Sequence, residues 1–119
     1  MERGARSHLA EVERVVSLPV VFQDDTDIEV EEAALWYEEQ RPGLGLEYIA
    51  AVSHAILDIG ENPERFPVWR LPWRRALLRR FPYVVFFESE ADRVVVWAIA
   101  HTKRRPGYWV ARRPPPRTP

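Results

Sequence analysis

The residues best suited to chemistry lie together near the end of the chain, in IAHTKRRPGYW, residues 99–109. His101 brings an imidazole that can move a proton near neutral pH. Lys103, Arg104 and Arg105 bring donors and positive charge for an anion, and Tyr108 and Trp109 bring rings with one polar atom each. Such a set suits metal-free proton transfer beside a phosphate, or simple capture of an anionic partner. Arg75, Arg79 and Arg80, from RRALLRR at 74–80, are placed in sequence to join it. Two plainer roles stand beside these: His101 as a hydrogen-bonded strand end, and Tyr108 and Trp109 folded back as a cap on the sheet.

Charge distribution supports an anionic partner. Residues 1–61 hold 14 acidic and 4 basic residues, a balance of −10, and residues 62–119 hold 4 acidic and 13 basic, a balance of +9. The overall net charge of −1 therefore conceals an acidic half and a basic half, and the basic half attracts anions.

Positioning these residues requires a folded scaffold, and the composition supplies one. A chain of 119 residues, 46% hydrophobic with five Trp, has material for one cored domain. Cysteine is absent, which excludes disulfides and thiolate metal sites and fits a reducing cytoplasm. No apolar run reaches the ~20 residues of a membrane helix, and the N-terminus lacks a signal peptide's apolar segment. The expected location is cytoplasmic, with no membrane partner. No zinc-ligand spacing, Gly-rich phosphate loop or hydrolase triad is present, so neither metal nor cofactor is expected.

SLPVVF at 17–22 predicts a first strand. Thr26 and Glu29 have capping-box spacing for a helix whose apolar face is Val30, Ala33, Ala34 and Tyr37, stopped by Pro42 and Gly43. A second helix runs from Leu44 to Ile59 on the stripe Leu44, Tyr48, Val52, Ala55 and Ile59, with Gly60 as its terminator. The short connection makes the pair an antiparallel hairpin. ENPERFPVWRLPW at 61–73 reads as a Pro-punctuated loop, and three strands follow at 74–80, 83–89 and 93–101. Trp97 belongs to the core. The expected fold is α+β, β-α-α-β-β-β, a helical hairpin on one face of a small, mostly antiparallel sheet. Residues 1–16 are expected to be a flexible arm, 17–109 the single domain, and 110–119 a Pro- and Arg-rich disordered tail.

EEAALWYEEQRPGLG, ENPERFP, RRALLRRFPYVV and RVVVWAIAHTKRRPGYW, in this order, resemble the RelE/ParE superfamily of type II toxins over roughly residues 17–109. The resemblance implies the fold just derived and a toxin neutralised by a cognate antitoxin in a hetero-oligomeric complex. It further implies one of two targets. ParE-like members inhibit DNA gyrase without established catalytic residues of their own. RelE-like members are ribosome-dependent endonucleases that drive a ribose 2′-hydroxyl of mRNA onto the adjacent phosphate. A non-toxic orphan that persists as a protein-binding module is the third alternative.

For an endonuclease, Arg80, His101, Arg104 and Tyr108 are the catalytic candidates. For binding a target or antitoxin, the candidates are Arg75, Arg79, Arg80, His101, Lys103, Arg104, Tyr108 and Trp109. The sequence departs from the nuclease pattern at Phe81, Pro82 and Tyr83, where RelE-like nucleases commonly carry a basic residue. It departs again at Arg105, where relatives with this ending often have Asp. The ParE-like mode is therefore the favoured expectation.

Overall fold

The structure is a computed structural model, and it describes residues 17–105 and 107–112. The expected arm, residues 1–16, and the end of the expected tail, 113–119, lie outside the described residues.

Strand β1, Val20–Phe22, enters the sheet and leads directly into helix α1, Asp24–Gln40. The cap differs from the expected one. Gln23 is the N-cap and its side chain accepts from the Asp25 N–H at 3.1 Å. Thr26 sits inside the first turn, fully buried, with Oγ1 directed at the Val96 carbonyl at 3.4 Å. Three acidic residues, Asp24, Asp25 and Asp27, occupy the first turn, where the helix dipole favours negative charge. Glu29 is released from capping and points elsewhere.

The turn to helix α2, Leu44–Glu61, pivots on Gly43 at φ +90°, a conformation that costs a Cβ-bearing residue roughly 1–2 kcal/mol. The Glu38 carboxylate clasps this turn by accepting from the N–H groups of Gly43 and Gly45 at 3.0 Å. Gly60 does not terminate α2 as expected but lies within it, buried. Its bare Cα lets the incoming chain pass: a Cβ there would stand 3.0 Å from the Leu18 carbonyl oxygen. The Leu18 N–H donates to the Gly60 carbonyl at 2.9 Å, pinning the start of the domain to the end of α2.

After a 3₁₀ turn at Pro63–Arg65 comes a strand that the Pro-rich sequence concealed, β2, Val68–Arg70. Strands β3, Trp73–Leu77, β4, Tyr83–Ser89, and β5, Val94–His101, complete a five-stranded sheet in the order β1-β5-β4-β3-β2. All pairings are antiparallel except β1 with β5, which is parallel, Val20 opposite Val94. Two helices on a mixed, mostly antiparallel sheet is the α+β architecture expected, with β2 added at one edge.

β5 is apolar throughout because both of its faces are covered. Val94, Val96 and Ile99 join Tyr48, Val52, Ile59, Val85 and Phe87 under the helical hairpin. Val95, Trp97, Ala98 and Ala100 join Trp73, Val84, Phe86 and Trp109 in a second core on the opposite face. The shift in facing is made by a bulge: Phe86 pairs with Ala98 and Phe87 with Val96, leaving Trp97 as the extra residue.

The second core is sealed by the chain's own end. Trp109 is fully buried, 4.8 Å from the Phe86 ring and 5.0 Å from Trp73, with Trp69 beside it. Residues Val110–Arg112, expected to open the disordered tail, form a 3₁₀ turn instead.

Candidate functional site

The expected strand 74–80 ends at Leu77, so Arg79 and Arg80 lie in the connection to β4 and do not alternate across the sheet. Arg80 adopts φ +71°. Its guanidinium turns toward α2 and donates to Glu47 at 2.7 Å, while Arg41 approaches the same oxygen at 3.4 Å. Glu47 is thus its acidic partner. The bond from Arg80 is the main cause holding the Glu47 carboxyl below its ordinary value. Both Arg79 and Arg80 border a groove between α2 and β3 of about 280 Å³, floored by alanines and Phe66.

At the same end of the sheet, where it pairs with Tyr83 of β4, β5 delivers His101, and a tight turn returns Arg104, whose N–H donates to the His101 carbonyl at 2.9 Å. The Lys103 N–H donates to Nδ1 of His101 at 3.0 Å, and the imidazole lies 5.2 Å from the Tyr83 ring. Arg104 stacks on Tyr108, its guanidinium carbon 3.7 Å from the ring centroid, within cation–π range. His101, Arg104 and Tyr108 share a cleft of about 250 Å³ with Glu29, Glu32, Trp36 and Tyr83. On the opposite face they border a hollow of about 190 Å³ that also takes in Arg75, Arg105 and Leu77.

Beneath this cluster lies a residue whose role the sequence hid. Glu29 reaches from α1 to the end of β5 and accepts from the Ile99 N–H at 3.2 Å and from Arg112 at 2.9 Å. It also accepts a short hydrogen bond from the Tyr108 hydroxyl. Burial first, and then Glu29, push the Tyr108 hydroxyl above its ordinary value. Burial works against the charge of Arg112, yet Glu29, with Tyr108 and Asp25, more than offsets it and keeps the guanidinium protonated beyond its usual range. Arg112 also donates to the Trp97 carbonyl at 3.0 Å and pairs with Asp25 at 3.4 Å.

The structure thus brings together His101, Arg104, Arg105, Tyr108 and Arg75 around one hollow, and places Arg79 and Arg80 in the adjoining groove beside α2. It removes Trp109 as a contact residue, because the indole is buried in the second core. Glu29 and Arg112 were missed: the first was read as a capping residue and the second as part of a tail. Trp69 and Leu77, also missed, had no signal beyond Arg70 next to the first and arginine pairs on either side of the run holding the second.

Chemically, the site offers strong anion attraction but an incomplete proton-transfer set. Tyr108 is engaged by Glu29 and made a weaker acid. Arg80 is engaged by Glu47 in another groove. Among the described residues, no group of three or more His, Asp or Glu is placed to hold a metal ion.

Comparison with known proteins agrees with this fold. Residues 20–106 match the family model described as the ParE toxin of the type II toxin–antitoxin system, parDE. The chain belongs to the ParE toxin family. No curated protein matches it in sequence. Among solved structures it is similar to one described as a chromosomal ParDE TA system from P. aeruginosa. That match has a TM-score of 0.64 at 11% identity and covers 71% of this chain and 96% of the other. At that identity the likeness concerns the fold. The family match stops at residue 106, so the segment of this ParE-family chain that seals the second core lies beyond it.

Proposed function

We propose that this chain is the toxin of a type II toxin–antitoxin pair, acting as ParE-like members do, by inhibiting DNA gyrase without cutting RNA. Its cationic sheet end, with Arg75, His101, Lys103, Arg104 and Arg105, makes contact with the target or the antitoxin. The observation that carries the non-nucleolytic mode is the division of the candidate nuclease residues between two places. Arg80 is bound to Glu47 beside α2, and the Tyr108 hydroxyl is bound to Glu29 at the other cleft. A phosphoryl-transfer site needs its acid, base and charge stabiliser within reach of one phosphate.

The antitoxin partner is supported by the family's description and by the toxin–antitoxin complex among its structural neighbours. No helix among the described residues is long and apolar enough to cross a membrane, and the proposed setting is the cytoplasm, where gyrase works.

The convergence of His101, Arg104 and Tyr108 on one cleft favours a second reading, the ribosome-dependent mRNA endonuclease. One experiment separates the two: pulse-labelling of protein and DNA synthesis in bacteria after induction of the chain alone. Early loss of DNA synthesis with filamentation supports gyrase inhibition. Early loss of protein synthesis, abolished by His101→Ala or Arg104→Ala, supports the nuclease. An effect on neither, from folded protein, leaves a non-toxic binding module.

A further inference from the structure

The groove beside α2 and the hollow on the opposite face of the sheet are not independent. Leu77, the last residue of β3, is 69% exposed and forms part of the wall of both. A continuous apolar track therefore runs around this end of the sheet, from Ala50 and Ala55 of α2, over Leu77, to Val84 and Ala100.

The charge along this track has one sign to spare. The acidic residues at its α2 end, Glu47 and Asp58, are already met by Arg80 and Arg41 and by Arg65. Arg79 on one side, and Arg75 and Arg105 on the other, border the track with no acidic partner among the described residues. A solvated apolar saddle of this kind, ringed by unmatched guanidinium groups, complements a chain that alternates carboxylates with large apolar side chains.

The features of a nucleobase site are lacking. Base stacking needs an open aromatic face. The Tyr108 face carries Arg104, Trp69 carries Arg70 at 4.5 Å, and Trp109 is buried. Phe66, in the floor beside α2, carries Arg65 at 4.8 Å, and the rest of the floor is aliphatic.

We infer that this track is the docking surface for an acidic peptide segment that passes over Leu77 and seats one large apolar side chain in each cavity. Only in naming the neutralising antitoxin as the source of that segment does this rest on the toxin reading. Such a segment would cover the cationic sheet end as it crosses, which ties neutralisation to direct occlusion of the proposed target surface.

The test uses the full chain and three fluorescent probes: poly-glutamate, a glutamate–tyrosine copolymer, and a single-stranded RNA oligonucleotide. Leu77 is exposed, so Leu77→Ala keeps the fold, checked by an unchanged Tm. The copolymer should bind at least about fivefold more tightly than poly-glutamate, and Leu77→Ala should remove that advantage while leaving poly-glutamate binding unchanged. Arg75→Ala with Arg79→Ala should weaken both acidic probes. Leu57→Ala, on the separate apolar groove beside α1, should change nothing. The inference is overturned if the copolymer has no advantage, if Leu57→Ala acts as strongly as Leu77→Ala, or if RNA is the tightest probe. Growth of cells expressing the wild-type chain is scored separately. Normal growth with Leu77-dependent copolymer binding would sink the toxin reading and keep the docking surface.

Discussion

Glu29 and Arg112, 83 residues apart, meet at 2.9 Å with their side chains only 14% and 16% exposed. This pair joins the first helix to the last described turn and carries Tyr108 with it. Removing one partner leaves the other charged and poorly hydrated, which costs more than loss of a surface ion pair. Glu29→Ala should destabilise the protein by about 3 kcal/mol, and Glu29→Gln by less, since an amide oxygen still accepts from Ile99 or Tyr108. A double-mutant cycle with Arg112→Gln, read by chemical denaturation, should return a coupling of about 1 kcal/mol or more. Additive effects would show that the pair is dispensable.

Trp109 gives the sharpest contrast between a contact residue and a core residue. As the largest fully buried side chain, packed on Trp73, Phe86 and Trp69, it should cost about 3–5 kcal/mol on replacement by Ala. The expected signature is a fall in Tm on the order of 15 °C, with loss of near-ultraviolet dichroism from the tryptophan cluster. A Trp109→Ala protein with wild-type stability would return the residue to the surface.

At Arg80 the backbone and the side chain pull in opposite directions. The exposed pair with Glu47 contributes little to stability, whereas φ +71° strains any residue with a Cβ. Arg80→Gly should therefore be more stable than Arg80→Ala by about 1 kcal/mol, although both lose the ion pair. Equal denaturation midpoints would contradict the left-handed conformation.

The four tyrosines should resist titration until the fold gives way. Burial is the leading cause raising Tyr37, Tyr48, Tyr83 and Tyr108 above the ordinary value of 10.0. Below pH 10 both folded and unfolded chains keep these protons. Above it the unfolded chain releases them first, so stability falls as pH rises toward the folded-state values. Phenolate absorbance and the loss of native tryptophan fluorescence should then rise together in an alkaline titration. Phenolate appearing near pH 10 with fluorescence still native would refute this.

The hairpin was legible because its period-3.6 stripes are long: Val30, Ala33, Ala34 and Tyr37 on α1, and Leu44, Tyr48, Val52, Ala55 and Ile59 on α2, all pack as read. Strands β4 and β5 were legible as apolar runs between short turns. Strand β2 was not, because Pro67 and Pro72 enclose only four residues, too few to give periodicity. The site was half legible. His101 and the arginines announced themselves by type, but which of them meet depends on where β3 stops and how Arg80 turns. Glu29 had a plausible local use as a capping residue, and only a contact 70 residues away in sequence reveals its real one. Trp109 could not be placed without knowing that, among the described residues, neither α1 nor α2 covers the second face of the sheet.

The parallel pairing of Val20 with Val94 has a consequence for the order of events during synthesis. The strand made first belongs beside the strand made last, and Gln23, Thr26 and Glu29 all address backbone groups of β5. At 5–20 residues per second, β1 waits roughly 4–15 s for its neighbour to be made. Until then the helical hairpin has no completed sheet to rest on, and the cationic sheet end does not exist. A nascent chain therefore lacks the cationic sheet end until β5 has been made.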